Sequence, residues 1–103
     1  EKSNFRQAEL KGAQFTESSI DFVDFSEADL SKSVMMGCSA KKTRFDQVDF
    51  TESTIEGNDV RGSALTYLKL KYAKIDKLIE DDDTDWTGTL KVSMRLNDDR
   101  ENG

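Results

Sequence analysis

The sequence contains no histidine, no proline and a single cysteine, Cys38, among its 103 residues. Without histidine, the chain lacks the side chain that ordinarily titrates near neutral pH and the commonest nitrogen ligand of metal ions. A lone cysteine excludes an internal disulfide and favours a reducing compartment. We therefore expect no enzymatic activity, no catalytic residue, no cofactor and no metal site.

Long hydrophobic runs are also absent, since the chain is 35% hydrophobic and 35% charged and has no stretch of eighteen apolar residues. This predicts no membrane span and no signal peptide, and favours the cytoplasm or secretion into a reducing compartment. The sequence opens without Met, with a repeat already running at Phe5. We therefore expect the native protein to begin further upstream.

The sequence repeats with a period of five residues. Fourteen of fifteen positions on one track are large and apolar, with Ala40 the exception: Phe5, Leu10, Phe15, Ile20, Phe25, Leu30, Met35, Ala40, Phe45, Phe50, Ile55, Val60, Leu65, Leu70 and Ile75. Two residues before each of these lies a mostly small residue, such as Ala28 or Ser53. A period of five fits neither an α-helix nor an isolated strand, so the pattern requires a repeat architecture.

Residues 28–32 read Ala-Asp-Leu-Ser-Lys, and residues 23–27, 48–52 and 8–12 are close to that unit. The chain resembles the pentapeptide-repeat family over residues 3 to about 77. The resemblance implies an all-β fold, a right-handed quadrilateral parallel β-helix with four units per coil and just under four coils. It also implies that both tracks point inward and the other three positions of each unit point outward.

One coil of twenty residues stacks similar side chains above one another, as in the column of Phe5, Phe25, Phe45 and Leu65. Residues 1–76 are predicted to form this coil, and residues 77–103 an acidic C-terminal cap with a frayed end. Leu78, Ile79 and Trp86 supply apolar surface for the cap, and residues 90–96 alternate as a half-buried strand does.

The first coil has no comparable cover in this sequence. A solenoid exposes core and unpaired backbone at an uncovered end. Two explanations stay open, namely sequence missing upstream and a homodimer through the open coil end.

Three features suggest possible sites. Asp81, Asp83 and Asp85 have the spacing of the first calcium-loop ligands, but Trp86 and Val92 stand where the loop needs Gly and Glu, so an acidic link is favoured. Cys38 lies on the small inward track, which predicts a buried, unreactive thiol. The outward apolar residues form a possible interaction patch: Phe22, Val34 and Met36. Tyr67 and Tyr72 also point outward and are expected to meet the cap.

The charge is unevenly distributed, because residues 1–75 carry a net charge of −1 and residues 76–103 a net charge of −5. The interpretation favoured by these features is a non-enzymatic protein-interaction or scaffold module, bacterial and part of a longer protein such as an effector, with a protein partner and no direct nucleic-acid binding. The alternative implied by the resemblance is a DNA-mimicking protein that protects gyrase. A nearly neutral coil weakens that alternative, since a duplex mimic needs dense negative charge.

Overall fold

Four short parallel strands form one sheet in the computed structural model, which describes residues 3–90. They are β1 (Gln14–Thr16), β2 (Val34–Met36), β3 (Thr54–Glu56) and β4 (Lys74–Asp76), in the order β1-β2-β3-β4. Each residue pairs with the residue twenty positions later, as Phe15 does with Met35. The four strands therefore belong to successive coils of one solenoid, as the repeat predicts.

The other three sides of the coil are joined by single parallel bridges at the same spacing. The bridges join residues on adjacent coils and form three columns: Asn4, Asp24, Arg44 and Ala64; Glu9, Asp29, Asp49 and Lys69; and Ser19, Ser39, Asp59 and Ile79. Four paired positions per twenty residues make a four-sided coil. The predicted all-β, quadrilateral architecture is confirmed.

The interior holds the two inward tracks. The rings of Phe5, Phe25 and Phe45 stack in one column, with centroids 5.5 Å apart at each step. Phe25 and Phe45 are each 1% exposed. Ala40, the one small residue on the large track, is also fully buried.

Each corner turns the chain with a residue in the left-handed region of backbone space. Positive φ is found in eleven non-glycine residues and five glycines of the described chain, all at the last position of a unit or its equivalent near the end. At three of the four corners a hydrogen bond across the turn, such as Ser33 N–H to Leu30 C=O at 3.2 Å, accompanies this conformation. These features are those of a type II turn.

Only one side forms regular strands, and the residue before each large core position explains why. On the other sides this position often carries Asp or Asn, whose side chain accepts the N–H two residues later, as Asp29 does from Ser31 at 3.0 Å. That bond rounds the chain into the turn. The corresponding column of the sheet contains neither Asp nor Asn: Gln14, Val34, Thr54 and Lys74. Its backbone stays extended for three residues.

The backbone ladder continues past Ile75, where the sequence pattern ends. Ile79 pairs with Asp59 at the usual spacing, whereas Asp85 pairs with Ala64, twenty-one residues earlier. One extra residue is therefore accommodated between them. Asp81 closes this wider turn, because its carboxylate accepts hydrogen bonds from the Gly62 N–H at 3.0 Å and the Asp83 N–H at 3.1 Å.

Three side chains pack against the core at this end of the coil: Leu68, Leu78 and Trp86. The Trp86 indole N–H donates to the Glu80 carboxylate at 2.8 Å. Leu90 is exposed. The rest of the strand predicted for residues 90–96 lies outside the described residues.

Candidate interaction surface

The outward side of β1–β4, here called the sheet face, carries eight side chains: Gln14, Thr16, Val34, Met36, Thr54, Glu56, Lys74 and Asp76. Val34 and Met36 lie on β2, on either side of the buried Met35. Met36 is 38% exposed and Val34 is half-buried. The face is flat because its backbone is extended. In the first two strands it carries no charge, so it is neutral and partly aliphatic there.

Phe22, the third residue of the predicted patch, lies elsewhere. It is the corner residue two positions after Ile20, with φ of 66°, and it is 50% exposed. The structure therefore brings Val34 and Met36 together on one strand and puts Phe22 at a corner of a different side. Binding of a partner at any of the three stays a prediction.

The two outward tyrosines differ in their surroundings. The Tyr67 ring lies so close to Gly88 that a Cβ added there would come within 2.3 Å of the ring. Tyr67 therefore meets the C-terminal segment, as expected. Tyr72 is exposed, and the Lys71 ammonium lies 5.4 Å from the centre of its ring.

The aspartates before the core positions serve the turns. The Ser31 hydroxyl donates to Asp29 at 2.6 Å, and this bond lowers the pKa of that carboxyl below its ordinary value of 3.8. Arg61 acts in the same way on Asp59 through a hydrogen bond at 2.9 Å from its Nε, which lowers the pKa of Asp59. These carboxylates stay ionised and hold corners, so their contacts explain them without a ligand.

Cys38 is buried, as its position on the small track predicts. Its Sγ lies 3.3 Å from the Phe15 carbonyl oxygen, toward which it donates, and its N–H donates to the Asn58 side chain at 2.8 Å. The thiol is thus enclosed in the interior, where it fills space beside the chain of the preceding coil.

The acidic turn at residues 81–83 is engaged in backbone contacts. Asp81 accepts from Gly62 and Asp83, as described above, and from the Thr84 hydroxyl at 3.2 Å. Its pKa is lowered, chiefly by the hydrogen bond from the Gly62 N–H. Within residues 3–90, no group of three potential ligands is placed to hold a metal ion. The described part of the chain also contains no helix long and apolar enough to cross a membrane.

One small cavity of about 20 Å³ lies inside the coil near its C-terminal end. Its lining is entirely apolar and includes Phe50, Leu68 and Trp86. It offers no polar group to a substrate.

Comparisons with known proteins agree with the repeat and the fold. A family model for pentapeptide repeats, in eight copies, matches residues 1–31. A search of curated protein sequences found no match. The fifteen units in register and the four-sided coil extend the same five-residue repeat and the same architecture beyond the matched residues.

Solved structures show the same fold. A pentapeptide repeat protein from the thylakoid lumen of Arabidopsis thaliana is 19% identical with a TM-score of 0.63, over 82% of this chain and 61% of that one. One from the cyanobacterium Cyanothece 51142 is 19% identical with a TM-score of 0.50, over 82% and 54%. This chain thus spans less than two thirds of either protein.

A more distant match is QnrB1, a plasmid-mediated fluoroquinolone resistance protein. It is 14% identical with a TM-score of 0.37, over 92% of this chain and 68% of that protein. A likeness at this level carries no argument about function.

Proposed function

We propose that this chain is a non-enzymatic scaffold that binds another protein through its sheet face. The observation that carries the proposal is the exposure of Met36 beside Val34 on a flat, uncharged part of a parallel sheet. An outward aliphatic side chain gains nothing from the core, whereas a protein partner can cover it. A reducing compartment belongs to the proposal and is supported by the single, buried Cys38.

The surface charges do not favour the gyrase-protecting alternative. Down one column, Asp24 is followed by Arg44, and down another, Asp49 is followed by Lys69. A protein that imitates a duplex needs regular negative charge along its faces. Arg44 and Lys69 interrupt these columns, so neither carries an unbroken row of negative charge along the rod, and we do not propose this function.

Photo-crosslinking in cells tests the scaffold proposal. A benzophenone side chain replaces Thr16, which is exposed beside Met36 on the sheet face, or Lys11, which holds the same place in its unit on another side. We expect a discrete cross-linked species from position 16 and little from position 11. The Met36→Asp substitution should abolish the product, and Gln47→Asp, at an exposed corner elsewhere, should not.

Equal cross-linking from positions 11 and 16 would argue against a dedicated interaction face. So would a product that survives Met36→Asp. Circular dichroism of each variant confirms that the coil is intact before the comparison is made.

A further inference from the structure

Two copies of the sheet face can be placed against each other by a two-fold rotation. Every charged side chain on the face and on its adjoining corner then lies opposite a neutral or oppositely charged side chain of the second copy. The corner column beside the sheet, here called the sheet corner, consists of Glu17, Gly37, Gly57 and Lys77. Its two ends carry opposite charge, and neither Glu17 nor Lys77 forms an ion pair within residues 3–90.

We propose that the partner of the sheet face is a second copy of this chain, packed antiparallel across that face; this inference rests on the proposed function. The two-fold axis lies parallel to the strands, between β2 and β3. It places the first coil of one copy opposite the fourth coil of the other, and the second opposite the third. Each column of side chains then faces its own copy, as an isologous interface requires.

The charges at the sheet corner fit this arrangement. Glu17 of each copy lies opposite Lys77 of the second copy, which gives two ion pairs at the ends of the interface. Gly37 and Gly57 lie between them and carry no side chains that would hold the corners apart. On the sheet, Thr16 faces Asp76 and Gln14 faces Lys74, so no like charges meet.

The centre of the interface is apolar. Val34 faces the methyl group of Thr54 of the second copy, and this contact occurs twice around the axis. Met36 faces the methylene stem of Glu56 and the bare backbone of Gly57. Burial of these groups supplies the non-directional part of the attraction.

The same two-fold rotation applied to two other sides of the coil brings like charges opposite each other. On the side that bears Phe22, it brings Asp21 against Asp81 and Lys41 against Arg61. The side that bears Asp29 brings that residue against Asp49 and Lys11 against Lys71. Like charges placed directly opposite cost affinity.

The remaining side brings Asp24 against Arg44, but both residues are already paired within the chain. Arg6 lies 3.7 Å from Asp24 and Arg44 lies 2.6 Å from Asp46. Glu17 and Lys77 of the sheet corner, in contrast, form no ion pair within residues 3–90, so they can pair with a second copy.

The size of the face predicts a weak dimer. Four coils at about 4.8 Å and five residues at about 3.3 Å give a face of roughly 19 by 17 Å. Such a face buries less than the roughly 1,200 Å² at which stable interfaces begin. We therefore expect a concentration-dependent dimer.

Disulfide trapping tests the geometry with two single substitutions, Val34→Cys and Thr54→Cys, prepared as separate proteins. Because each position faces the other across the axis, mixing the two should give a mixed disulfide in excess of either self-linked product. The native Cys38 is buried and serves as the background in the unsubstituted chain. Cross-linking through Phe5→Cys, with no product from the mixture, would assign the dimer to the open coil end and overturn the proposal.

A charge swap tests the energetics by sedimentation equilibrium. Glu17→Lys or Lys77→Glu should each weaken association about tenfold, because two ion pairs become repulsive, and the double swap should restore it. Glu27→Lys, at another corner, is the matched control and should leave association unchanged. A folded protein that stays monomeric at millimolar concentration would overturn the second-copy proposal. The scaffold proposal would survive that result if position 16 still cross-links to a different protein.

Discussion

The side-chain carbonyl of Asn58 accepts a hydrogen bond from the backbone N–H of Cys38, one coil earlier, at 2.8 Å. The amide of the same side chain donates to the Met35 carbonyl at 2.9 Å. Asn58 is 0% exposed. At this corner, beside the sheet, a side chain thus takes over the role that turn hydrogen bonds play at the other corners.

Replacement of Asn58 by Ala should lower the free energy of unfolding by about 2–4 kcal/mol, because a buried donor and a buried acceptor lose their partners. Urea denaturation measures the change. Ser53→Ala is the matched control, since Ser53 also donates to a carbonyl of the previous coil, that of Leu30, at 2.8 Å. The Leu30 carbonyl keeps the Ser33 N–H, so the control should lose only about 1 kcal/mol. Equal losses would contradict the bridging role of Asn58.

The phenylalanine column gives a second prediction, in which position along the coil decides the cost. Phe45→Ala should destabilise the protein by about 3–5 kcal/mol, because the ring is fully buried and stacked on Phe25. Phe5→Ala removes the same side chain from the same column where it is 44% exposed, and should cost roughly half as much or less. Thermal unfolding of both variants provides the comparison, and similar losses would contradict the difference in burial.

The fold was predictable because its information is repeated in the sequence. Fourteen large residues at fifteen positions in phase gave the period, and the match of Phe5, Phe25 and Phe45 gave the coil of twenty. The ladder beyond Ile75 was harder to foresee, because one inserted residue shifts Thr84 and Trp86 out of the five-residue phase. Pattern matching loses such a segment, while backbone hydrogen bonding continues through it.

Acid should weaken the coil through its turn aspartates. The pKa of Asp29 is lowered by its hydrogen bonds from Ser31, and those of Asp59 and Asp85 are lowered by Arg61 and Thr87 in the same way. A carboxyl with a lowered pKa in the folded state stabilises the fold above its unfolded value near 3.8. That stability is lost as the pH falls through the lower, folded-state pKa.

Urea midpoints measured from pH 6 to pH 2 test this dependence. Asp29→Asn keeps an acceptor and removes the titration, so its midpoint should fall less on acidification than that of the unsubstituted chain. Ser31→Ala should also reduce the fall, because it relaxes the lowered pKa of Asp29. Ser19→Ala, an exposed serine on another side, should leave the dependence unchanged. An acid response that none of these variants alters would rule out Asp29 as a contributor.

Gly88 lies against the Tyr67 ring, and substitution of Gly88 should lower the free energy of unfolding through this contact. Gly88 and Gly12 both have positive φ, of 73° and 79°, so Ala at either position should cost about 1 kcal/mol for the backbone. At Gly88 the added Cβ also displaces the Tyr67 ring, whereas at Gly12 nothing lies within 4 Å. Gly88→Ala should therefore cost about 2–3 kcal/mol.

A double-mutant cycle isolates this contact. In a Tyr67→Ala background, the cost of Gly88→Ala should fall to that of Gly12→Ala. An unchanged cost would show that the ring is not what the new methyl group meets.

The candidate surface was only partly predictable. Outward phase identified Phe22, Val34 and Met36 as exposed apolar residues, but phase alone does not say which side of a coil a residue shares. The flat side does have a signal in the sequence: the column from Gln14 to Lys74 lacks the Asp or Asn that is common before the other turns. The five-residue pattern of core positions does not show this difference. Complementarity of Glu17 and Lys77 appears only once coils are stacked, since sixty residues separate them in sequence.

The wider turn closed by Asp81 sets a rule for changing the length of this rod. Duplication of residues 43–62 adds a whole coil and returns every later side chain to its own side. Insertion of a single residue moves every later side chain out of its column by one position. The shift can be absorbed where a nearby carboxylate accepts hydrogen bonds from the backbone N–H groups of the wider turn, as Asp81 does from Gly62 and Asp83. Lengthening in steps of twenty is thus open to evolution and design, and a single-residue step is tolerated where a local acceptor replaces the lost symmetry.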